Sequence, residues 1–320
     1  MRHILIIFFL FLLLLLPVLF TSAQTSLNDF TINMYPETPA PSSLVTVTID
    51  SIAFDINQAS IAWSVDGKQE LAGIGERVLK LKAGPSGSKT IVDVLVNIGG
   101  LRLIKRAVIV PASTDLLWEA IDTYTPPFYK GKALPAQEAD IKLVAIPDVI
   151  SSGTRLKPNE FDYEWRKNGN VESSGFGFNK SYFVFRNNYL NKNEEVGVFA
   201  KSRGGAKGSG GALIAIVAPK ILFYEEGGSL YQKALTSLEL TKETILVAEP
   251  YFIFPRNLLS SDLILDWKIN DVKTTTTQKN KIILGPTQSV GASSISLDIK
   301  NKSRLLFSVD KKLEVLVKNK

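Results

Sequence analysis

The chain opens on an almost unbroken apolar run, Ile4 to Phe20, and no second run of that kind follows. Beyond it, apolar and polar positions alternate with a period of two in short stretches, the pattern of half-buried β-strands. Leu44-Val45-Thr46-Val47-Thr48-Ile49 is one such stretch. Thr90 to Ile98 is another, with Val92, Val94, Val96 and Ile98 on one side and Ile91, Asp93, Leu95 and Asn97 on the other. Val78 to Leu81, Leu101 to Val110, Ile141 to Ala145, Val196 to Ala200, Ala212 to Val217, Ser294 to Ile299 and Leu313 to Val317 continue the series. Asp66-Gly67, Gly84 to Ser88, Gly99-Gly100 and Asn168-Gly169 break it as turns, since these pairs supply the positive φ that tight hairpins need. No amphipathic helix of three turns is expected after residue 23. Short strands with frequent turns predict an all-β chain of sandwiches.

A repeat organises the strands. Ala62-Trp63-Ser64-Val65-Asp66-Gly67, Glu164-Trp165-Arg166-Lys167-Asn168-Gly169 and Asp266-Trp267-Lys268-Ile269-Asn270-Asp271 share a Trp in a strand-like run closed by a polar turn. The same 102 residues separate Trp63 from Trp165 and Trp165 from Trp267. Gly73-Ile74-Gly75 returns as Gly175-Phe176-Gly177, and Tyr129 to Leu134 returns as Tyr231 to Leu235. The spacing predicts three tandem Ig-like β-sandwich domains, 24–112, 113–218 and 219–320, after a leader of residues 1–23. A Trp in such a strand fills the space between two sheets, so Trp63, Trp165 and Trp267 are expected in the cores. The alternative, a row of exposed Trp rings for stacking on sugars, fits less well with the alternating flanks. Pro111-Ala112-Ser113-Thr114 is a short Pro-containing link, which predicts a semi-rigid rod.

The basic start Met1-Arg2-His3, the apolar run, and the small residues Thr21-Ser22-Ala23 have the layout of a cleaved secretory signal peptide. The competing reading is an uncleaved anchor over residues 4–20. Either way the remainder is expected outside the cytoplasm: periplasmic, at the cell surface or extracellular. The chain has no Cys, and its single His is His3. That excludes Ser-His-Asp triads, Cys nucleophiles, Cys/His zinc sites, disulfides and a lipid-modified Cys. The net charge is +6, with Lys spread along the chain. A dispersed excess suits a solvated surface or weak attraction to an anionic wall polymer, and nucleic acid is not expected.

A few positions stand out as candidate sites. Tyr124, Phe128 and Tyr129 flank Pro126-Pro127 and read either as an aromatic binding patch or, preferably, as an edge strand packed on its own domain and on the preceding joint. Trp118 is expected in interdomain packing. Gly204 to Gly211, with Lys201, Arg203 and Lys207, lacks the Gly-Lys-Ser/Thr ending of a phosphate loop and is expected to be a flexible hairpin loop. Arg203 and Lys207 remain an interaction surface on that loop. Ser86-Gly87-Ser88-Lys89 matches Ser-x-x-Lys but sits in a Gly-Pro turn. The best oxygen clusters for calcium are Asp55-Ile56-Asn57 and Glu160-Phe161-Asp162, without an Asp-x-Asp, so no cofactor is assigned. Asn179-Lys180-Ser181 and Asn301-Lys302-Ser303 are glycosylation sequons.

The Trp-plus-turn repeat resembles the PKD-like and bacterial Ig-like sandwich modules of exported proteins. Trp118-Glu119, with Tyr124 to Leu134, is similar to a recurring segment of uncharacterised multi-Ig exported proteins of candidate-phylum bacteria. The resemblance spans about residues 25 to 320 and transfers no catalytic residue. It implies a non-enzymatic envelope or cell-surface protein that works as a spacer and protein-interaction module. Its expected partners are envelope or surface proteins, with glycans or anionic wall polymer beside them. A carbohydrate-binding or adhesive protein is the first alternative, and an extracytoplasmic hydrolase with carboxylate chemistry the second.

Overall fold

The computed structural model describes residues 30–227, 233–285, 290–304 and 306–318. The leader and Tyr231 lie outside them. Among the described residues the only helical turns are three short 3-10 turns, and no helix is long and apolar enough to cross a membrane. The chain is all-β. By their contacts the described residues divide into two compact units, one of residues 30–37, Leu44–Lys82 and Thr90–Ile109, the other of Thr38–Ser43, Ala83–Lys89 and those from Val110 onwards.

The first unit is a sandwich of seven strands: β1 (Thr31–Tyr35), β2 (Leu44–Asp50), β3 (Ser60–Val65), β4 (Lys68–Ile74), β5 (Val78–Lys82), β6 (Thr90–Ile98) and β7 (Leu101–Ile109). Sheet β1-β2-β5 faces sheet β4-β3-β6-β7. The alternation dictates what lies between them: Val45, Val47 and Ile49 of β2 and Val92, Val94 and Val96 of β6 are buried with Trp63. The intervening threonines of β2 stay partly exposed.

The second unit holds two separate cores. Around Trp165 are β8 (Ser113–Ala120), β9 (Asp140–Asp148), β10 (Ile150–Ser151), β11 (Thr154–Arg155), β12 (Phe161–Lys167), β13 (Asn170–Val171), β14 (Gly177–Phe178), β15 (Tyr182–Arg186), β16 (Asn193–Ser202) and β17 (Lys207–Ala215). Layer β8-β9-β15 and layer β13-β12-β16-β17 join through a single parallel pairing, Ser113 with Ser209. Between the layers Trp165 stacks on Phe183, and Phe183 on Phe185, with centroids 5.7 and 5.3 Å apart.

Around Trp267 are β18 (Lys220–Glu225), β19 (Ser237–Leu240), β20 (Thr244–Tyr251), β21 (Leu263–Ile269), β22 (Val272–Thr274), β23 (Lys281–Leu284), β24 (Gly291–Asn301) and β25 (Ser308–Val317). Sheet β18-β20-β23 faces sheet β19-β25-β24-β21-β22, with β19 parallel to β25.

The expected flexible loop over Gly204 to Gly211 is corrected by the structure. The turn is only Arg203–Ala206, and Lys207 already begins β17. The glycines are there for close approach, because β8 crosses against this strand. A Cβ on Gly210 would lie 1.8 Å from the Thr114 carbonyl oxygen, and one on Gly208 would lie 2.8 Å from Val149 Cγ2. Only Gly permits backbones that near.

Candidate functional site

The Trp repeat is a hydrogen-bonded device as well as a packing one. Each indole N–H donates to a backbone carbonyl further along the chain: Trp63 to Glu76 at 2.7 Å, Trp165 to Lys180 at 2.9 Å and Trp267 to Lys279 at 2.9 Å. Three residues after each Trp comes an Asp or Asn with positive φ: Asp66 at 49°, Asn168 at 50° and Asn270 at 47°. Each of these bonds reciprocally to one residue of the strand across the sheet. Asp66 N–H donates to the Ile91 carbonyl while the Asp66 carboxylate accepts from Ile91 N–H. Asn168 does the same with Glu195, and Asn270 with Ser294. A short polar side chain that tolerates the left-handed region is what such a turn requires. The sequence shows the turn; the reciprocal bonds become visible only once the strands are paired. All three Trp side chains are buried, so no ring face is open at the surface.

The aromatic segment behaves differently. Tyr124 adds an antiparallel bridge to Ile253, its N–H donating to the Ile253 carbonyl at 2.6 Å and its carbonyl accepting from Phe252 N–H at 2.8 Å. Phe128 meets Tyr224 edge-on at 5.6 Å. Tyr129 meets Tyr251 and Phe252, each at 5.7 Å. All of these partners belong to the Trp267 sandwich. The segment therefore packs on the following sandwich, not on the preceding joint, which corrects the expectation.

A second strand of contacts runs the other way. Arg304, beyond β24, donates to the Asp122 carboxylate at 3.0 Å and to the Glu138 carbonyl at 2.5 Å, with its guanidinium 3.6 Å from the Phe254 centroid. Ala136, from the β8–β9 connection, is buried in the Trp267 core. Phe252 holds φ 60°, a strained value for a bulky residue.

Electrostatics mark the same joint. Burial pushes the Asp122 carboxyl up, opposed by the Asp140 N–H and by Arg304. Burial also pushes Glu249 up, opposed by the Tyr124 hydroxyl, which donates to it at 3.2 Å. The phenols of Tyr124 and Tyr251 are driven well above the usual range, mainly by burial. Two perturbed carboxylates are a feature of hydrolytic sites. Here each is committed to a donor across the joint, so they act as cross-links.

No family model matches the chain, and no curated protein matches it. Solved structures do. The three N-terminal domains of the outer capsid protein Hoc of bacteriophage RB49 align at 11% identity, covering 90% of this chain and 98% of that one, with a TM-score of 0.25. The Bacteroides ovatus mixed-linkage glucan utilization protein SGBP-B, solved with a heptasaccharide, aligns at 11% identity over 91% of this chain and 71% of that one, TM-score 0.22. The fibronectin(III)-like modules of Clostridium thermocellum CbhA align at 8% identity over 58% and 94%, TM-score 0.27. Scores of this size carry no argument about activity or partners. The Ig-like fold rests on the strand pairing itself.

The remaining candidates sit as follows. Trp118 packs against the core of its own sandwich, under the Lys132 ammonium at 3.2 Å, rather than between domains. Arg203 lies exposed in the β16–β17 turn, and Lys207 starts β17. Asp55 caps a 3-10 turn and spends its oxygens on Asn57 and Gln58. Glu160 accepts from Lys157 N–H at 2.5 Å, while Asp162 lies on the opposite side of the strand from Phe161 and Tyr163. No cluster of three metal-ligating residues occurs among the described residues. Ser86, in a turn, donates to the Asp148 carbonyl at 3.1 Å. Of the two sequons, Asn301 is buried and donates to the Phe254 carbonyl, so its amide is closed to modification in the fold. Sequence reasoning missed Arg304, Asp122 and Glu249. Nothing local marks them, because their partners lie more than a hundred residues away.

Proposed function

We propose that the chain is an exported, non-enzymatic surface protein that acts as a spacer and interaction module. In this reading residues 1–23 are the leader, and sandwiches 24–112, 113–218 and 219–320 are the modules. The protein is periplasmic, at the cell surface or extracellular, and is held by residues 4–20 if the leader stays. The observation that carries the reading is the joint. The aromatic segment and the perturbed carboxylates, the residues best suited to a ligand or to chemistry, are spent on fixing one sandwich to the next. Coupling of modules through such a joint suits holding a binding face at a distance. Envelope or surface proteins are the expected partners.

The test is affinity capture from native cell envelopes, with the chain lacking residues 1–23 as bait, repeated with free sugars present. Retention of a surface component supports the reading. Hydrolysis of envelope material by the purified chain, lost on changing Asp122 and Glu249, would replace it with the hydrolase.

A further inference from the structure

The first sandwich leaves open a strand edge that the other two close. Strand register makes Lys105 of β7, Gly210 of β17 and Lys311 of β25 equivalent. Each lies opposite the residue of the neighbouring strand, Val94, Val198 or Leu297, that pairs with the repeat Trp. In the Trp165 sandwich this last strand has a parallel partner on its far side, Ser209 pairing with Ser113 of β8. In the Trp267 sandwich it has β19, which runs parallel to residues 314–317. β7 ends its sheet with no partner on that side among the described residues. The residues between β1 and β2, 36–43, form no strand. Prolines at 36, 39 and 41 leave three of their positions without an N–H.

The open edge is long and regular. At nine residues β7 is the longest edge strand among the described residues, and its register with β6 runs unbroken. β4, the next longest, is interrupted by a shift of register. Ile91 exchanges backbone bonds with Asp66, at the end of β3, so the Ile91 N–H and carbonyl face β3. Backbone groups alternate in direction along a strand, so Val92, Val94 and Val96 bond to β7. Arg102, Ile104, Arg106 and Val108 therefore aim their N–H and carbonyl groups outward. Beneath the edge, Leu103 and Ala107 of β7 are only half-buried, and so are Ile32 and Met34 of β1. The Lys105 ammonium, 5.3 Å from the Phe30 centroid, sets the start of β1 beside β7. In the Trp267 sandwich the corresponding strand β19 sends Leu238 and Leu240 into the core.

These facts specify an occupant. Unpaired backbone groups at strand spacing are completed by another strand. A second copy of β7 fits poorly. Two-fold pairing centred on Ile104, Lys105 or Arg106 would set Arg102 against Arg106, Lys105 against Lys105, or Arg106 against Arg106, and like charges directly opposite destabilise a sheet. Arg106 is held by Asp93 at 2.6 Å. Arg102 is exposed and makes no ion pair among the described residues. We propose that β7 binds an extended segment of a partner protein, parallel to it as β19 is to β25. Apolar side chains of that segment turn in over Leu103 and Ala107, and acidic ones turn out beside Arg102. Ser237–Leu240, with the sequence Ser-Leu-Glu-Leu, is the chain's own example of such a segment. The proposal rests on the interaction-module reading above and names its partner's chemistry.

The probe is a short labelled peptide of alternating valine and glutamate, added to the full chain and followed by fluorescence anisotropy and by hydrogen exchange of the β7 amides. A valine–lysine peptide and a proline–glutamate peptide are the controls. The expected result is binding of the valine–glutamate peptide alone, with slowed exchange at Ile104 and Arg106. Ile104→Pro removes an outward N–H and no bond to β6, and it should weaken binding about tenfold or more. Arg102→Glu should weaken binding about tenfold and leave the thermal midpoint in place, so the test survives if Ile104→Pro fails to fold. Absence of binding at millimolar concentration overturns the proposal. So does equal binding of the lysine peptide, or binding that neither variant changes. If envelope capture succeeds in any of these cases, the edge assignment falls and the surface-interaction reading stands.

Discussion

The segment Tyr124–Tyr129 and the turn Arg203–Ala206 both connect strands of the Trp165 sandwich, and both carry side chains suited to recognition. One is partly buried against a neighbouring sandwich, while the other lies open. Reach separates them. The aromatic segment belongs to the long connection 121–139 between β8 and β9, which can lay rings on β18 and β20 and push Ala136 into a foreign core. The hairpin turn is four residues long and can only fold back over its own sheet. Recognition chemistry near a joint becomes architecture when its connection is long enough to reach the next module, and stays available when it is not.

That contrast can be tested by substitution. The reference point is Trp165→Ala, expected to cost about 3 to 5 kcal/mol in urea unfolding because it empties a fully buried site; a loss under about 1 kcal/mol would remove Trp165 from the core. Arg304→Ala comes next. It strands the largely buried Asp122 and the Glu138 carbonyl, and a loss of about 2 to 4 kcal/mol is expected by the same measurement.

Glu249→Gln probes the joint through pH. Burial raises the folded carboxyl above its unfolded value, so the fold prefers the protonated form. Its contribution is therefore most favourable at low pH and declines as pH rises through the carboxylate range. The Gln variant should be more stable than the parent at pH 7, with the gain vanishing toward pH 3; urea midpoints at the two values decide it. The smallest effect is Arg203→Ala, expected within about 0.5 kcal/mol because the side chain is exposed. A larger loss would place Arg203 with the joint residues and erase the contrast.

The sandwich fold and the buried Trp residues were legible in the chain because both follow from local signals, a period of two and a fixed spacing. Asp66, Asn168 and Asn270 were legible as turns for the same reason. The glycines at 208 and 210 misled because Gly ordinarily marks freedom in a loop. Here they mark the approach of Thr114, which no local pattern records. The cover over Tyr124, Phe128 and Tyr129 was illegible for a related reason. Exposure is a property of the assembled sheets, and Arg304 reaches Asp122 from 182 residues away.

The central claim is that the aromatic segment locks the Trp165 and Trp267 sandwiches together. Scanning calorimetry of the full chain and of the Phe128→Ala, Tyr129→Ala double variant tests it most directly. Removing three ring contacts of about 0.5 to 1.5 kcal/mol each should uncouple the two sandwiches. The account predicts one shared transition for this pair in the parent and two separate transitions in the variant. An unchanged profile, with the same transitions at the same temperatures, would contradict it.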